Sequence, residues 1–109
     1  MIQVIFIFKS DGKNLGFIRD NYVFSRDGIY LGWVEKKEEN NLVWDVEGKY
    51  RGVLREDKGN YYILTKKFEI SPISRIPKKV PNISLPPDPP KNIPPIVLPV
   101  DAEDAFGEL

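Results

Sequence analysis

Residues 22–35 read YVFSRDGIYLGWVE: three apolar residues, a polar stretch, an acidic-Gly pair, three further residues, a second glycine and two more apolar residues. The same pattern recurs without gaps on both sides, as FIFKSDGKNLGFIR from Phe6 to Arg19 and LVWDVEGKYRGVLR from Leu42 to Arg55. A fourth copy opens at Tyr62 with YILTKKF, but Lys67-Phe68 stands where the acidic-Gly pair belongs. Self-similarity of this kind marks a repeated supersecondary unit whose copies share one core.

The acidic-Gly pairs Asp11-Gly12, Asp27-Gly28 and Glu47-Gly48 are flanked by runs rich in Val, Ile, Phe, Tyr and Trp. Such pairs suit two-residue hairpin loops, in which both central residues take positive φ. Each unit is therefore expected to be one β-hairpin, and no stretch before residue 70 has the 3.6-residue apolar period of a helix. Two-residue loops place Phe8 opposite Leu15, Ile7 opposite Gly16 and Phe6 opposite Phe17. They likewise pair Phe24 with Leu31, Val23 with Gly32, Trp44 with Arg51 and Val43 with Gly52. A three-residue loop would instead set Gly16 against Phe6.

Alternation along each strand then gives every hairpin two unlike faces. One is large and aromatic: Phe6, Phe8, Phe17, Tyr22, Phe24, Trp33 and Trp44. The other is small: Ile7, Val23 and Val43, each opposite Gly16, Gly32 or Gly52, with Ile18, Val34 and Leu54 beyond. Glycine within a strand costs about 0.5–1 kcal/mol relative to alanine, so its recurrence at one position calls for close approach of a backbone or a ligand. Hairpins crowded round an axis meet that requirement, with the small faces lining the axis and the aromatic faces wedged between neighbours.

The whole chain is 109 residues with 16 basic and 16 acidic side chains, no cysteine and no histidine. A disulfide, a Cys/His zinc site, a thiol nucleophile and a histidine base are thereby excluded. The balanced charge argues against a broad nucleic-acid-binding field. The apolar start MIQVIFIF lacks a basic flank and runs into Lys9-Ser10-Asp11-Gly12, so it reads as a first strand, with a cytoplasmic location and no transmembrane segment expected.

All ten prolines lie between Pro72 and Pro99. The chain is accordingly divided into a hairpin-repeat domain, residues 1–70, and a proline-rich extended or disordered tail with an acidic C-terminus, residues 71–109. Pro86-Pro87, Pro89-Pro90 and Pro94-Pro95 forbid helix and central strand. The tail reads as a mobile spacer, as an arm packed on the head, or as a docking segment for a partner. Its end, DAEDAFGEL, is either a solvated acidic terminus or a short helix start anchored by Phe106.

Successive hairpins bearing D-G-x-x-x-G-aromatic-aliphatic, as in Asp27-Gly28-Ile29-Tyr30-Leu31-Gly32-Trp33-Val34, followed by a lysine-containing proline-rich tail, resemble the small bacterial 4-fold β-flower proteins. The likeness covers residues 2 to about 70 and the general character of the tail. It implies an all-β fold: four hairpin petals in a pseudo-fourfold shallow barrel around an apolar channel. The signature matches at Gly12/Gly16, Gly28/Gly32 and Gly48/Gly52 and departs at Lys67-Phe68. The resemblance brings no activity with it.

Carboxylates are the remaining catalytic candidates, and Asp11, Asp27 and Glu47 are explained as turn formers, leaving Asp45. No catalytic residue, metal site or cofactor is expected. Arg19, Arg26, Arg51 and Arg55 beside aromatics make single-stranded nucleic-acid binding an alternative, as is a purely structural head and stalk. The favoured expectation is a non-enzymatic binding or interaction module: an axial channel lined by Ile7, Gly16, Ile18, Val23, Gly32, Val34, Val43, Gly52 and Leu54 takes an apolar ligand, and the tail docks a protein partner.

Overall fold

The computed structural model describes residues 4–66, 74–77 and 86–106. Its strands are β1 (Val4–Phe8), β2 (Asn14–Arg19), β3 (Tyr22–Ser25), β4 (Tyr30–Lys37), β5 (Asn40–Asp45), β6 (Tyr50–Asp57), β7 (Asn60–Lys66) and β8 (Ala102–Asp104). The fold is all-β, with no helix among the described residues. The strands form one sheet in chain order, and β1 also pairs with β7, closing a seven-strand barrel. An antiparallel meander with an odd number of strands returns its last strand in the direction of its first. The closing pairs, Ile7 with Tyr61 and Phe8 with Tyr62, are accordingly parallel.

The hairpin loops differ from the two-residue form expected. Lys9 N–H donates to Lys13 O and Gly12 N–H to Lys9 O, both at 2.9 Å, which encloses a three-residue loop, Ser10-Asp11-Gly12. The same pair of bonds closes Arg26-Asp27-Gly28 and Val46-Glu47-Gly48. Only the glycines adopt positive φ, at 88°, 86° and 82°, while Asp11, Asp27 and Glu47 do not. This is the type I turn with a left-handed third residue, the geometry that glycine enters without a Cβ penalty. Two-residue loops occur between the repeats instead. Asp20-Asn21 has φ of 54° and 65°, and Lys58-Gly59 has 53° and 85°.

The additional loop residue does not shift the inner pairs, because each hairpin also holds a β-bulge. Phe8 stands opposite Asn14 and Ile7 opposite Gly16, so Leu15 is the extra residue. Phe24 faces Tyr30 with Leu31 extra, and Trp44 faces Tyr50 with Arg51 extra. The expected pairs Phe8–Leu15, Phe24–Leu31 and Trp44–Arg51 are thus replaced, whereas Ile7–Gly16, Val23–Gly32 and Val43–Gly52 stand. Loop and bulge offset one another. In the first hairpin buried Asn14 braces the bulge, its Nδ2 donating to Ile7 O and Gly16 O at 2.9 Å each.

The bulge glycines have a backbone reason. A Cβ on Gly16 would lie 2.9 Å from the carbonyl carbon of Phe24, one on Gly32 2.8 Å from that of Trp44, and one on Gly52 2.9 Å from that of Leu64, with the oxygens nearer still. Each glycine therefore abuts the first strand of the following repeat, at a separation that excludes any side chain.

Two layers of side chains result. The inner cluster comprises Ile7, Leu15, Ile18, Val23, Val43, Ile63, Ala105 and Phe106. The outer aromatics fill the junctions between hairpins, with Phe17 stacked on Phe24 at 5.1 Å between centroids and Trp33 on Trp44 at 6.5 Å. Two members of the inner cluster, Ala105 and Phe106, lie beyond residue 71 in the segment assigned by sequence to the tail.

Candidate functional site

β7 has a divided edge. Tyr61 and Tyr62 pair with β1, and the other half pairs with β8 through Leu64–Asp104, Thr65–Glu103 and Lys66–Ala102. An edge strand with free N–H and C=O groups recruits any extended segment within reach, and here the recruit is the chain's own end. Ala102–Asp104 is a strand, not the helix start considered from its acidic composition. The docked segment continues with Ala105 N–H donating to Ile63 O at 3.0 Å. Phe106, only 3% exposed, then turns inward at φ 57° to join Ile7, Ile18, Val23 and Val43.

Polar contacts secure this segment. Asp104 accepts from Ser10 N–H at 2.9 Å and from Ser10 Oγ at 2.6 Å, tying β8 to the first hairpin loop. The Arg51 guanidinium lies 4.2 Å over the Phe106 ring, and its Nη1 is 3.7 Å from Asp45. A cation over a ring face is attracted by the ring quadrupole, so Arg51 caps the seat of Phe106. Charge nearby also affects Tyr62, whose phenol is raised above its ordinary pKa by burial first, then by Asp57 and Asp104.

Earlier parts of the tail lie on the hairpin loops. Arg75 N–H donates to Gly48 O at 2.8 Å and Ile93 N–H donates to Gly12 O at 2.9 Å. The carbonyls of the same two tail residues sit so close over Gly48 and Gly12 that a Cβ there would lie 2.9 and 3.0 Å from the carbonyl carbons. The Arg75 side chain reaches 5.0 Å from the Trp44 ring and bonds Glu35 at 3.2 Å. Ile96 N–H donates to Ser10 O at 2.8 Å. Gly12 and Gly48 thus turn the hairpin and also leave room for a tail backbone, a second role that their motif does not reveal.

Of the residues expected round the axis, Ile7, Ile18, Val23 and Val43 are buried together, and Val34 and Leu54 pack against them from partly exposed positions. Gly16, Gly32 and Gly52 face neighbouring carbonyls, as described. The turn acids sit at separate loops. Asp11 accepts from Lys13 N–H at 2.9 Å, Asp45 from Glu47 and Lys49 N–H at 2.9 and 3.0 Å, and Glu47 pairs with Lys49 at 3.3 Å. Asp27 is exposed, and Ser25 Oγ braces its loop. Among the described residues no three acidic side chains gather as a metal site. Arg19 lies 5.2 Å over Phe17, while Arg26 and Arg55 are exposed. Phe17, Trp33 and Trp44 are at most 2% exposed, with Phe17 stacked on Phe24 and Trp33 on Trp44. Among the described residues no helix is long and apolar enough to cross a membrane.

Ser10, Arg75 and Asp104 carry no sequence signal because each acts through a contact distant in sequence, and Asn14 carries none because its local bonds to Ile7 O and Gly16 O exist only once the bulge has formed. Phe106, the one aromatic of an acidic terminus, was the sole available signal.

No curated protein and no solved structure matches the chain significantly. The family model described as 4-fold beta flower protein matches residues 2–104. That match runs beyond the barrel to Asp104, the residue whose carboxylate holds Ser10, and so takes in β8 together with the hairpins. On the breadth of that agreement the chain belongs to the 4-fold beta flower protein family.

Proposed function

We propose that this protein is a non-enzymatic binding module whose docking site is the half of the β7 edge that β1 leaves, together with the apolar end of the axis. In this reading β7 and β8 form the fourth petal, its second strand supplied from the far end of the chain. One observation carries the proposal: residues 102–106 occupy the site as an extended ligand does, with three ladder positions on β7, a doubly bonded acid at Asp104 and an aromatic anchor at Phe106. Strand addition supplies affinity through the backbone, and the side-chain pockets supply selectivity.

The partner chemistry follows from the occupant. It is an extended segment with an acid two residues before an aromatic, or an apolar group that takes the place of Phe106 against Ile7, Val23 and Val43. The proline-rich tail holds its own end at high local concentration, so a partner competes with an intramolecular ligand. The absence of histidine and cysteine, and the structural employment of Asp11 and Asp45, support the non-enzymatic part of the proposal.

The test is rescue in trans. A full-length Asp104→Ala/Phe106→Ala variant vacates the site, and a peptide of residues 101–107 is titrated while methyl resonances of Ile7, Ile63 and Val43 are followed. Restoration of the wild-type shifts by this peptide, but not by one with alanine in place of Phe106, is expected. A folded variant that binds neither peptide refutes the proposal. Should the variant not fold, displacement of the wild-type tail by millimolar peptide provides the same decision.

A further inference from the structure

Aromatic pairs fill the junctions between hairpins in a repeating position. Phe17 and Phe24 are opposite one another on β2 and β3 and stack. Trp33 and Trp44 hold the equivalent place on β4 and β5. On β6 and β7 the equivalent pair is Val53 and Leu64. Two aliphatic side chains cannot occupy the space of two stacked rings, and a cavity of about 480 Å³ lies at this junction. Leu42, Val53 and Leu64 form its apolar lining, Tyr50 flanks it, and Pro99 and Ala102 of the tail wall it. Its volume falls within the ordinary range of small-molecule sites.

The rim chemistry also departs from the repeat. Arg19 lies over the ring of Phe17. Arg55 holds the corresponding position two residues after Val53, which offers it no ring. Arg55 and Lys66 both border the cavity, are exposed, and have no ion pair among the described residues. Asp101 also borders it, so among the described residues the rim keeps an excess of one positive charge.

We propose that this junction is a binding site for a small planar aromatic carboxylate. The ring system occupies the place of the missing aromatic pair between Val53 and Leu64, and the carboxylate meets Arg55 and Lys66. The ring also supplies the cation–π partner that Arg55 lacks among the described residues. The site rests on the same binding-module reading but not on the Phe106 seat. Phe106 stays in place when this ligand binds, so either proposal can fail without the other.

The experiment titrates the full chain with 2-naphthoate while backbone and methyl chemical shifts are recorded. The neutral 2-naphthylmethanol and the non-aromatic decanoate serve as comparators. Saturable shifts at Leu42, Val53 and Leu64 are expected, with both comparators binding more weakly. Arg55→Gln combined with Lys66→Gln should weaken naphthoate by roughly tenfold or more. Val53→Phe, which refills the junction as Phe17 does, should abolish binding and leave the Ile7 and Val43 methyls unmoved. The proposal is overturned by absence of saturable shifts at this junction, by equal affinity for either comparator, or by undiminished binding to the charge variant. The last arm alters only exposed side chains, so it decides the matter even if Val53→Phe fails to fold.

Discussion

Truncating Phe106 to alanine asks whether the last residues of the chain belong to the core. The ring is 3% exposed and packs with Ile7, Ile18, Val23, Val43 and Ile63. Removing a buried phenylalanine ring costs about 3–5 kcal/mol, transfer and cavity terms together. The Arg51 guanidinium at 4.2 Å adds about 0.5–1 kcal/mol that is also lost. The positive φ of 57° gives no relief, because alanine carries the same Cβ penalty. A total near 5 kcal/mol is a large part of the roughly 5–15 kcal/mol that holds a domain folded. With a urea slope of about 1–3 kcal/mol per molar, the midpoint should fall by about 1.5–5 M, read by tryptophan fluorescence and circular dichroism together. Val97→Ala is the control: that residue is 98% exposed in the same tail, and the change should stay within about 0.5 kcal/mol. If Phe106→Ala behaves like Val97→Ala, the terminal segment is not part of the core, and the docking site loses its anchor.

Further expectations concern the barrel. Gly32→Ala should destabilise by at least about 1–3 kcal/mol, because its Cβ would come 2.8 Å from the Trp44 carbonyl carbon. Gly59→Ala, with no neighbour within 4 Å but φ of 85°, should cost only the backbone penalty of about 1 kcal/mol; thermal melts compare the two. Asn14→Leu should cost about 1–3 kcal/mol by leaving Ile7 O and Gly16 O without their donor, and amide exchange around the first bulge should quicken. Burial first, and then neighbouring Tyr22, raise the Tyr30 pKa in the folded state. A phenol held protonated by folding stabilises below its ordinary value near 10, and that stability is lost as pH rises through the elevated folded value. Urea midpoints should therefore decline above pH 10 in the wild type and less steeply in Tyr30→Phe.

The repeat made much of the barrel legible from composition and spacing alone. Periodic apolar residues and acidic-Gly pairs are local features, and local features suffice to place hairpins and to sort Ile7, Val23 and Val43 from Phe17, Trp33 and Trp44. The inner register came out as expected for a different reason than supposed. A three-residue loop shifts the pairing by one, the bulge at Leu15, Leu31 or Arg51 shifts it back, and no sequence period distinguishes two offsetting shifts from none.

What remained hidden depended on contacts between distant segments. Gly12 and Gly48 read as turn formers, yet their burial beneath the backbones of Ile93 and Arg75 exists only once the tail has crossed the loops. The boundary near residue 70 follows a real change in composition. Prolines forbid a ladder within their own stretch, but they do not prevent the chain from re-entering the sheet after Pro99, where Ala102–Asp104 finds the half of β7 that β1 leaves unpaired. The sequence by itself therefore determined a repeated hairpin architecture with an inner aliphatic and an outer aromatic face. Tertiary structure alone decided that the acidic terminus completes the sheet and seats Phe106 in the core, because burial and edge pairing are properties of the closed barrel rather than of any local run of residues.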